Sequence, residues 1–256
     1  MPPSNKPYAT SIERAFAIME MLDGTRRGWN ISEISRRLKI PKSSAHVIVL
    51  TLERLGYLKR EPASRRYKLG LKICSLGRGM MNDLVLPEVA LPHMRWLVEQ
   101  TRLTSHLAVI EKGHVVFIQK TDGPGMIKFD TYVGKRADVH CTGLGKALLA
   151  YSNELTLRDC LSVESFTKYT DATITSPAGF RQELGRVKHK GYSIDDEEEE
   201  LGVRCVAVPV FNSPGELIAA LSVTGTTAQI SADAFDKLAK PLKEASARIS
   251  KALKVL

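Results

Sequence analysis

The chain is poor in cysteine and in aromatics, and it has no long apolar run. Its four cysteines, Cys74, Cys141, Cys160 and Cys205, stand far apart in 256 residues. None forms a C-x-x-C pair and no Cys/His cluster has zinc-finger spacing, so reduced thiols are expected rather than a disulfide framework or a structural zinc site. No run of 18 or more apolar residues occurs, which excludes a membrane-spanning helix. The opening MPPSNKPYATS lacks the apolar core of a signal peptide, and residues 1–10 read as a polar, disordered lead. A cytoplasmic protein without a membrane partner is the expectation. Also missing are a Ser/His/Asp order with a nucleophile elbow, paired metal-ligand spacing, a cofactor fingerprint and any internal repeat. These absences argue against an enzyme, and no catalytic residue, metal or cofactor is assigned.

What is present is a marked charge asymmetry. The net charge is +9. Residues 1–79 hold sixteen Lys and Arg against six Asp and Glu, a balance of +10, whereas residues 80–256 hold 21 against 22, a balance of −1. A basic module attached to a neutral one points to a polyanion-binding segment. No strongly amphipathic basic helix suggests a membrane surface. The basic segment also has few aromatics on which RNA bases could stack, which leaves duplex DNA.

The basic segment patterns as helices followed by a hairpin. Ser11–Asp23 reads as a helix with Ile12, Ala15, Phe16, Met19 and Leu22 on its apolar stripe. Asn30 with Glu33 has capping-box spacing, and Ile31, Ile34 and Leu38 share the face of a second helix. Pro41 suits the first position of a third, with Ala45, Ile48, Leu52 and Leu55 buried and Lys42, Ser43, Ser44 and His46 around its N-terminal end. Taken alone, this window reads equally as a helix-turn-helix or as an ordinary helical hairpin. Two short strands follow, Tyr57–Arg60 and Arg65–Leu69, joined by Glu61-Pro62-Ala63-Ser64, with Arg65 and Arg66 at the tip. A basic hairpin placed directly after the third helix is a wing, and it tips the balance toward a winged helix-turn-helix that reads the major groove.

Leu69–Met81 then reads as a linker helix weakened by Gly77 and Gly79, and Asp83 to Pro87 as a boundary. Pro87–Thr101 is a further helix. Beyond it come strands at Ser105–Glu111, His114–Thr121 and Met126–Val133, a loop over 134–142, and helices at Gly143–Tyr151, Leu155–Leu161 and Pro177–Lys190. Further strands at Tyr192–Asp195, Val203–Phe211 and Glu216–Thr224 precede a last helix capped by Ser231. Hairpin-connected strands with helices between them imply an α/β (α+β) domain with a mainly antiparallel sheet. The turn Gly143-Leu144-Gly145-Lys146 lacks the spacing of a nucleotide-binding loop, but it enters a helix whose free N–H groups suit an anion. Ser222 and Thr224, two apart on a strand, point the same way. Left to themselves they read as ordinary strand hydroxyls, Cys205 as a small buried hydrophobe and Asp196–Glu200 as a solvated acidic loop. His140, Cys141 and Cys205 would make a metal site only if they converged, which their spacing does not require.

Several motifs in order, SIERAFAIMEML, ISEISRRLKIPKSSAHVIVLTLERLGYLKR, RRYKLGLKICSLG, HCTGLGKALLA, GYSIDDEEEELGVRCVAVPVF and ALSVTG, make the chain resemble the IclR family of bacterial transcriptional regulators across residues 11–255. The resemblance implies a winged helix-turn-helix over 8–70, a linker helix over 71–86 and a GAF-like effector and oligomerisation domain over 87–256. It implies a homodimer, often a dimer of dimers. Such a protein would bind double-stranded operator DNA and a small carboxylic or aromatic acid, and so control a catabolic operon. DNA contacts are then expected from Ser32, Arg36, Lys42, Ser43, Ser44, His46, Arg65 and Arg66. Effector contacts are expected from Met126, Phe129, Gly143, Leu144, Asp195, Val203, Cys205, Ser222 and Thr224. The chain departs from many relatives at Val47, where a basic or polar residue commonly follows the recognition-helix histidine. With Leu50 one turn on, a thymine methyl contact replaces a polar one. The competing class is an enzyme acting on a small carboxylic acid, with the basic segment as a localiser.

Overall fold

A computed structural model describes residues 11–253 apart from 24, 26, 83, 84, 213 and 214. The polar lead 1–10, part of the boundary at 83–87 and the centre of the turn 212–215 therefore lie outside the described residues. The chain divides after residue 84 into two compact units.

The first unit begins with α1 (Ser11–Asp23), α2 (Ile31–Leu38) and α3 (Lys42–Arg54). The capping box is formed: the Asn30 side chain accepts from the Glu33 N–H at 2.9 Å and Glu33 accepts from the Asn30 N–H at 2.9 Å. Lys39 closes α2 in the left-handed region, and Pro41 sits at the N-cap of α3, one position earlier than expected. Ile18, Leu22, Ile34, Ala45, Ile48, Val49 and Leu52 form the core. Val49 takes the place expected of Leu55, which is 45% exposed. The apolar stripe of α1 is also rotated from the expected one. Ile18 and Leu22 are buried, whereas Ile12 and Phe16 face outward beside Val47, Leu55 and Leu76. Strands β1 (Leu58–Arg60) and β2 (Tyr67–Leu69) pair antiparallel as the wing. Trp29 bridges to Tyr67 and ties the entry of α2 to the wing. Helix α4 covers Lys72–Asn82.

The second unit opens with α5 (Val85–Thr101), then β3 (Thr104–Glu111), β4 (His114–Thr121) and β5 (Arg136–Asp138). Next come α6 (Gly143–Tyr151), α7 (Glu154–Leu161), α8 (Pro177–Lys190), β6 (Ser193–Asp196), β7 (Val203–Phe211), β8 (Leu217–Thr226) and α9 (Phe235–Ala252). Ser231 precedes a short 3₁₀ turn and makes no cap bond. The six strands run in the order β5-β4-β3-β8-β7-β6, every neighbouring pair antiparallel. One face packs on α5 and α9 through Val206, Val208, Leu221 and Val223. The other packs on α6 and α8, where Ala108, Ala207 and Ala220 are small enough for α6 to lie close. Because both faces are covered, β7 and β8 read as near-continuous apolar runs rather than alternating ones.

The expected strand Met126–Val133 is not one. The free edge of β4 is taken by β5, with Val115 opposite Ala137, inside what had read as a loop. Residues 122–135 instead form a looped excursion held by Lys120, whose Nζ donates to the carbonyls of Phe129 (2.9 Å) and Thr131 (3.0 Å). Met126 at its apex is 97% exposed.

Candidate functional sites

In the first unit the N-terminal half of α3 is open to solvent. Lys42, Ser43 and His46 are exposed and Ser44 is half-buried; Ser32 and Arg36 on α2 are exposed too. Arg65 stands at the wing tip with φ 55°, its N–H donating to Glu61 O at 2.9 Å, and its side chain is exposed. Arg66, expected beside it on the DNA side, turns inward. Its Nη1 and Nη2 donate to the two carboxylate oxygens of Glu33 at 2.7 and 2.9 Å, and Nη1 also reaches Gly28 O at 3.0 Å. The two residues precede β2, and the left-handed backbone at Arg65 turns the chain between them, leaving the Arg65 side chain exposed while Arg66 is held at Glu33. The exposed bases Arg54, Lys59 and Arg60 add to the same unit.

In the second unit the start of α6 closes a cavity of about 260 Å³. Thr142 caps the helix, its hydroxyl accepting from the Gly145 N–H at 3.1 Å. The first amides of a helix have no partner inside it, and Gly143 and Leu144, the first two residues of α6, line the cavity. Close approach at this turn requires glycine: a Cβ at Gly145 would lie 2.3 Å from Val139 O, and one at Gly143 3.1 Å from Cys205 Sγ. Asp195 on β6, Val203 and Cys205 on β7, Thr224 on β8 and Phe129 on the excursion complete the expected part of the lining. Met126 and Ser222 do not line it. The former lies out on the exposed loop apex, and the latter is wholly buried opposite His106 and Ala207.

Sequence reasoning missed His106, Phe117, Tyr169 and Lys135, which also line the cavity. His106 Nε2 lies 2.8 Å from Thr131 Oγ1, and Nδ1 lies 3.4 Å from Thr224 Oγ1. Burial pushes this imidazole down to about 3, so it is neutral at pH 7. Tyr169 donates its hydroxyl to Asp138 at 2.7 Å. The signal for His106 was its two-residue step from Ala108 on β3, legible only once the facing helix is known.

The acidic segment after β6 is built into the wall. Glu198 N–H donates to Asp195 Oδ1 at 2.8 Å, and the hydroxyls of Thr170 and Thr173 hold the carbonyls of Glu197 and Glu198 at 2.7 Å each. Lys146 on α6 is fully buried, donating to Ile194 O at 2.5 Å and to the Glu198 carboxylate. Glu198 is thus an internal ion-pair partner rather than part of a solvated loop. Burial pushes Asp195 up to about 7 against the opposing pull of Lys146, and burial raises Glu198 in the same direction. The Cys205 thiol is pushed up to about 12 by burial and by the Asp195 charge, and Cys141 is raised further still. Neither cysteine offers a thiolate nucleophile. His140 bonds Thr167 O at 2.9 Å and stacks on Phe166, away from any metal geometry. Among the described residues no group of His, Cys, Asp and Glu is placed to hold a metal ion, and no helix is long and apolar enough to cross a membrane.

A winged helix-turn-helix with an open recognition helix, joined to a second unit with a polar cavity at a helix N-terminus, defines a DNA-binding regulator with a separate sensing unit. Residues 11–62 match the IclR helix-turn-helix domain, and residues 79–251 match the bacterial transcriptional regulator IclR C-terminal domain. The chain is 31% identical over 247 residues to the HTH-type transcriptional regulator XynR of Escherichia coli, covering 96% of this chain and 98% of XynR. With KdgR of the same organism it shares 32% over 241 residues, 94% and 91% of the two chains. Among solved structures, Thermotoga maritima IclR superposes with TM-score 0.76 at 28% identity, covering 95% of this chain and 98% of that one. An IclR homologue from Microbacterium hydrocarbonoxydans, complexed with 4-hydroxybenzoate, gives 0.81 at 28%, covering 96% and 100%. The chain belongs to the IclR family of transcriptional regulators.

Proposed function

We propose that this regulator controls a catabolic operon in response to a small hydroxylated organic acid bound in the second unit. The observation that carries this reading is the composition of the cavity wall. Helix N-terminal amides at Gly143 and Leu144 and the ammonium of Lys135 suit a carboxylate. The carboxyl groups of Asp195, Glu199 and Glu200 and the hydroxyl of Thr224 can each accept a hydrogen bond from a ligand hydroxyl. A cavity of about 260 Å³ lies below the usual range for drug-sized ligands, about 300–1,000 Å³, so the ligand is compact. Phe117, Phe129 and Leu144 supply apolar wall, which admits an aliphatic chain or a single ring. The 4-hydroxybenzoate complex of the Microbacterium homologue supports a hydroxy acid in the same family.

On this reading the second unit binds without turnover, since its buried thiols and neutral histidine supply no activated nucleophile. The protein acts as a homodimer, or a dimer of dimers, on a pseudo-palindromic operator. Exposed Lys42, Ser43, His46 and Arg65 contact DNA, while Arg66 supports the wing. The test is a thermal-shift screen of the full chain against small aliphatic and aromatic acids, with and without hydroxyl groups. A hydroxy acid at 100 times its Kd should stabilise the second unit by about 2.7 kcal/mol, whereas the deoxy analogue gives less. Equal shifts for both members of a pair would reject the hydroxyl requirement. Consumption of the acid would reject the sensor reading in favour of an enzyme.

A further inference from the structure

The face of α3 turned away from the core carries an apolar pair that the fold leaves exposed. Ala45, Ile48, Val49 and Leu52 point into the first unit. Ser43, Val47, Leu50 and Arg54, at steps of four, three and four, form the opposite stripe. Val47 is 64% and Leu50 41% exposed. They stand between polar or basic groups, with Lys42, Ser43 and His46 toward the N-terminus and Arg54 toward the C-terminus, all exposed. Leu50 lies outside the apolar groove formed by Ile12, Phe16, Leu55 and Leu76, and Val47, which lines that groove, is still 64% exposed. Packing within the unit therefore leaves Leu50, and most of the surface of Val47, uncovered at the centre of the outward stripe.

Resting on the reading of α3 as the recognition helix, we infer that Val47 and Leu50 read thymine C5-methyl groups on neighbouring base pairs of the operator half-site. In the major groove the thymine methyl is the one apolar group on the base edges, and every other feature there is a donor or an acceptor. An aliphatic side chain in the groove gains only against that methyl, and it leaves a donor or acceptor unpaired anywhere else. Three residues of helix advance about 4.5 Å, close to the base-pair rise of about 3.4 Å, so one side chain can meet each of two adjacent pairs. The flanking ammonium and guanidinium groups of Lys42 and Arg54 suit the phosphates on either side, which centres the apolar pair over the bases.

The test uses the full chain and a duplex selected from a random-sequence pool. Each thymine of the half-site is replaced in turn by deoxyuridine, which removes only the methyl. Affinity is then read by fluorescence anisotropy. The wild type should lose about fourfold at each of two adjacent positions, the worth of one buried CH₂-sized group. Val47→Ala should abolish the loss at one position and Leu50→Ala at the other, while both variants bind the deoxyuridine duplex about as well as the wild type does. Both residues are exposed, so the variants keep the fold, checked by their melting temperatures. Equal wild-type affinity for thymine and deoxyuridine duplexes at every position overturns the inference, as does discrimination that survives both substitutions. Retained discrimination with an altered oligomeric state would assign the pair to contact with a second copy instead. Failure to select any preferred duplex would instead remove the DNA-reading premise itself.

Discussion

Asp195 is a carboxyl group with almost no water around it, being 3% exposed. It accepts from the Glu198 N–H, and its pKa is pushed up to about 7, mainly by burial. The unfolded chain releases this proton near pH 3.8, the ordinary value. Between about pH 4 and 7 the native state therefore holds a proton that the unfolded state has lost, so stability falls as pH rises through that window and levels off above it. Asp195→Asn removes the titration while keeping an acceptor for the Glu198 amide. Denaturant unfolding of wild type and variant at pH 5 and pH 7.5 should show the variant gaining, relative to wild type, on the order of 2 kcal/mol at the higher pH. Identical pH dependence in the two proteins would mean that Asp195 is solvated and ionised throughout. The Lys146–Glu198 pair beneath it has a different logic. Both groups are buried, and removing one leaves the other uncompensated, which is why a lysine can stand in an otherwise apolar helix.

At the scale of elements, the wing and the helix-turn-helix are fastened through one carboxylate. Glu33 closes the capping box of α2 and also accepts from both terminal guanidinium nitrogens of Arg66, the residue before β2. Arg66 together with the Asn30 amide holds Glu33 down to about 2. A depressed carboxylate contributes stability that is present at neutral pH and lost as pH falls from about 4.5 toward 2. The two neighbouring arginines should then separate cleanly on mutation. Arg65→Ala should lower the salt dependence of DNA binding by about one unit of slope and leave amide exchange in α2 unchanged. Arg66→Ala should speed exchange at Asn30–Glu33, as the fastening between wing and helix opens locally. If Arg66→Ala changed the salt slope and spared the exchange, its place would be on the DNA. Much of this was legible in the sequence because it is local: the Asn30–Glu33 spacing, the bounds of α8 and β7, and the antiparallel sheet all follow from caps, periods and turns. What was not legible depends on a partner element. Arg66 is outward or inward according to where Glu33 lies, and Met126–Val133 has strand composition but finds the edge of β4 taken by β5. His106 acquires its role only when β3, β8 and the loop at Thr131 meet. In α1, Ile12 and Phe16 satisfy the helical period yet fall outside the arc that α3 covers.

For the whole molecule, the balance of +10 in residues 1–79 against −1 in residues 80–256 puts charge-driven binding in the first unit, and the proposed ligand cavity is in the second. The division after residue 84 falls beside the same boundary. Any communication between the two is a coupling free energy, and it has to run both ways. An effector alters operator affinity only to the extent that it binds two arrangements of the protein unequally. If a hydroxy acid changes operator affinity about tenfold, saturating operator must change affinity for the acid about tenfold in the same sense. Isothermal titration of the acid into the free protein, and into the protein saturated with its selected duplex, measures the second factor. Anisotropy titration of the duplex with and without saturating acid measures the first. Equal factors show that the acid and the operator bind one coupled protein, because the cycle closes wherever the acid site lies; a substitution in the cavity at Gly143 and Leu144 then tests whether that is the site. Substituting Asp195→Asn should then reduce both factors together. A changed operator factor with an unchanged ligand factor would show that the acid acts on the DNA or on the solution conditions rather than by binding the protein.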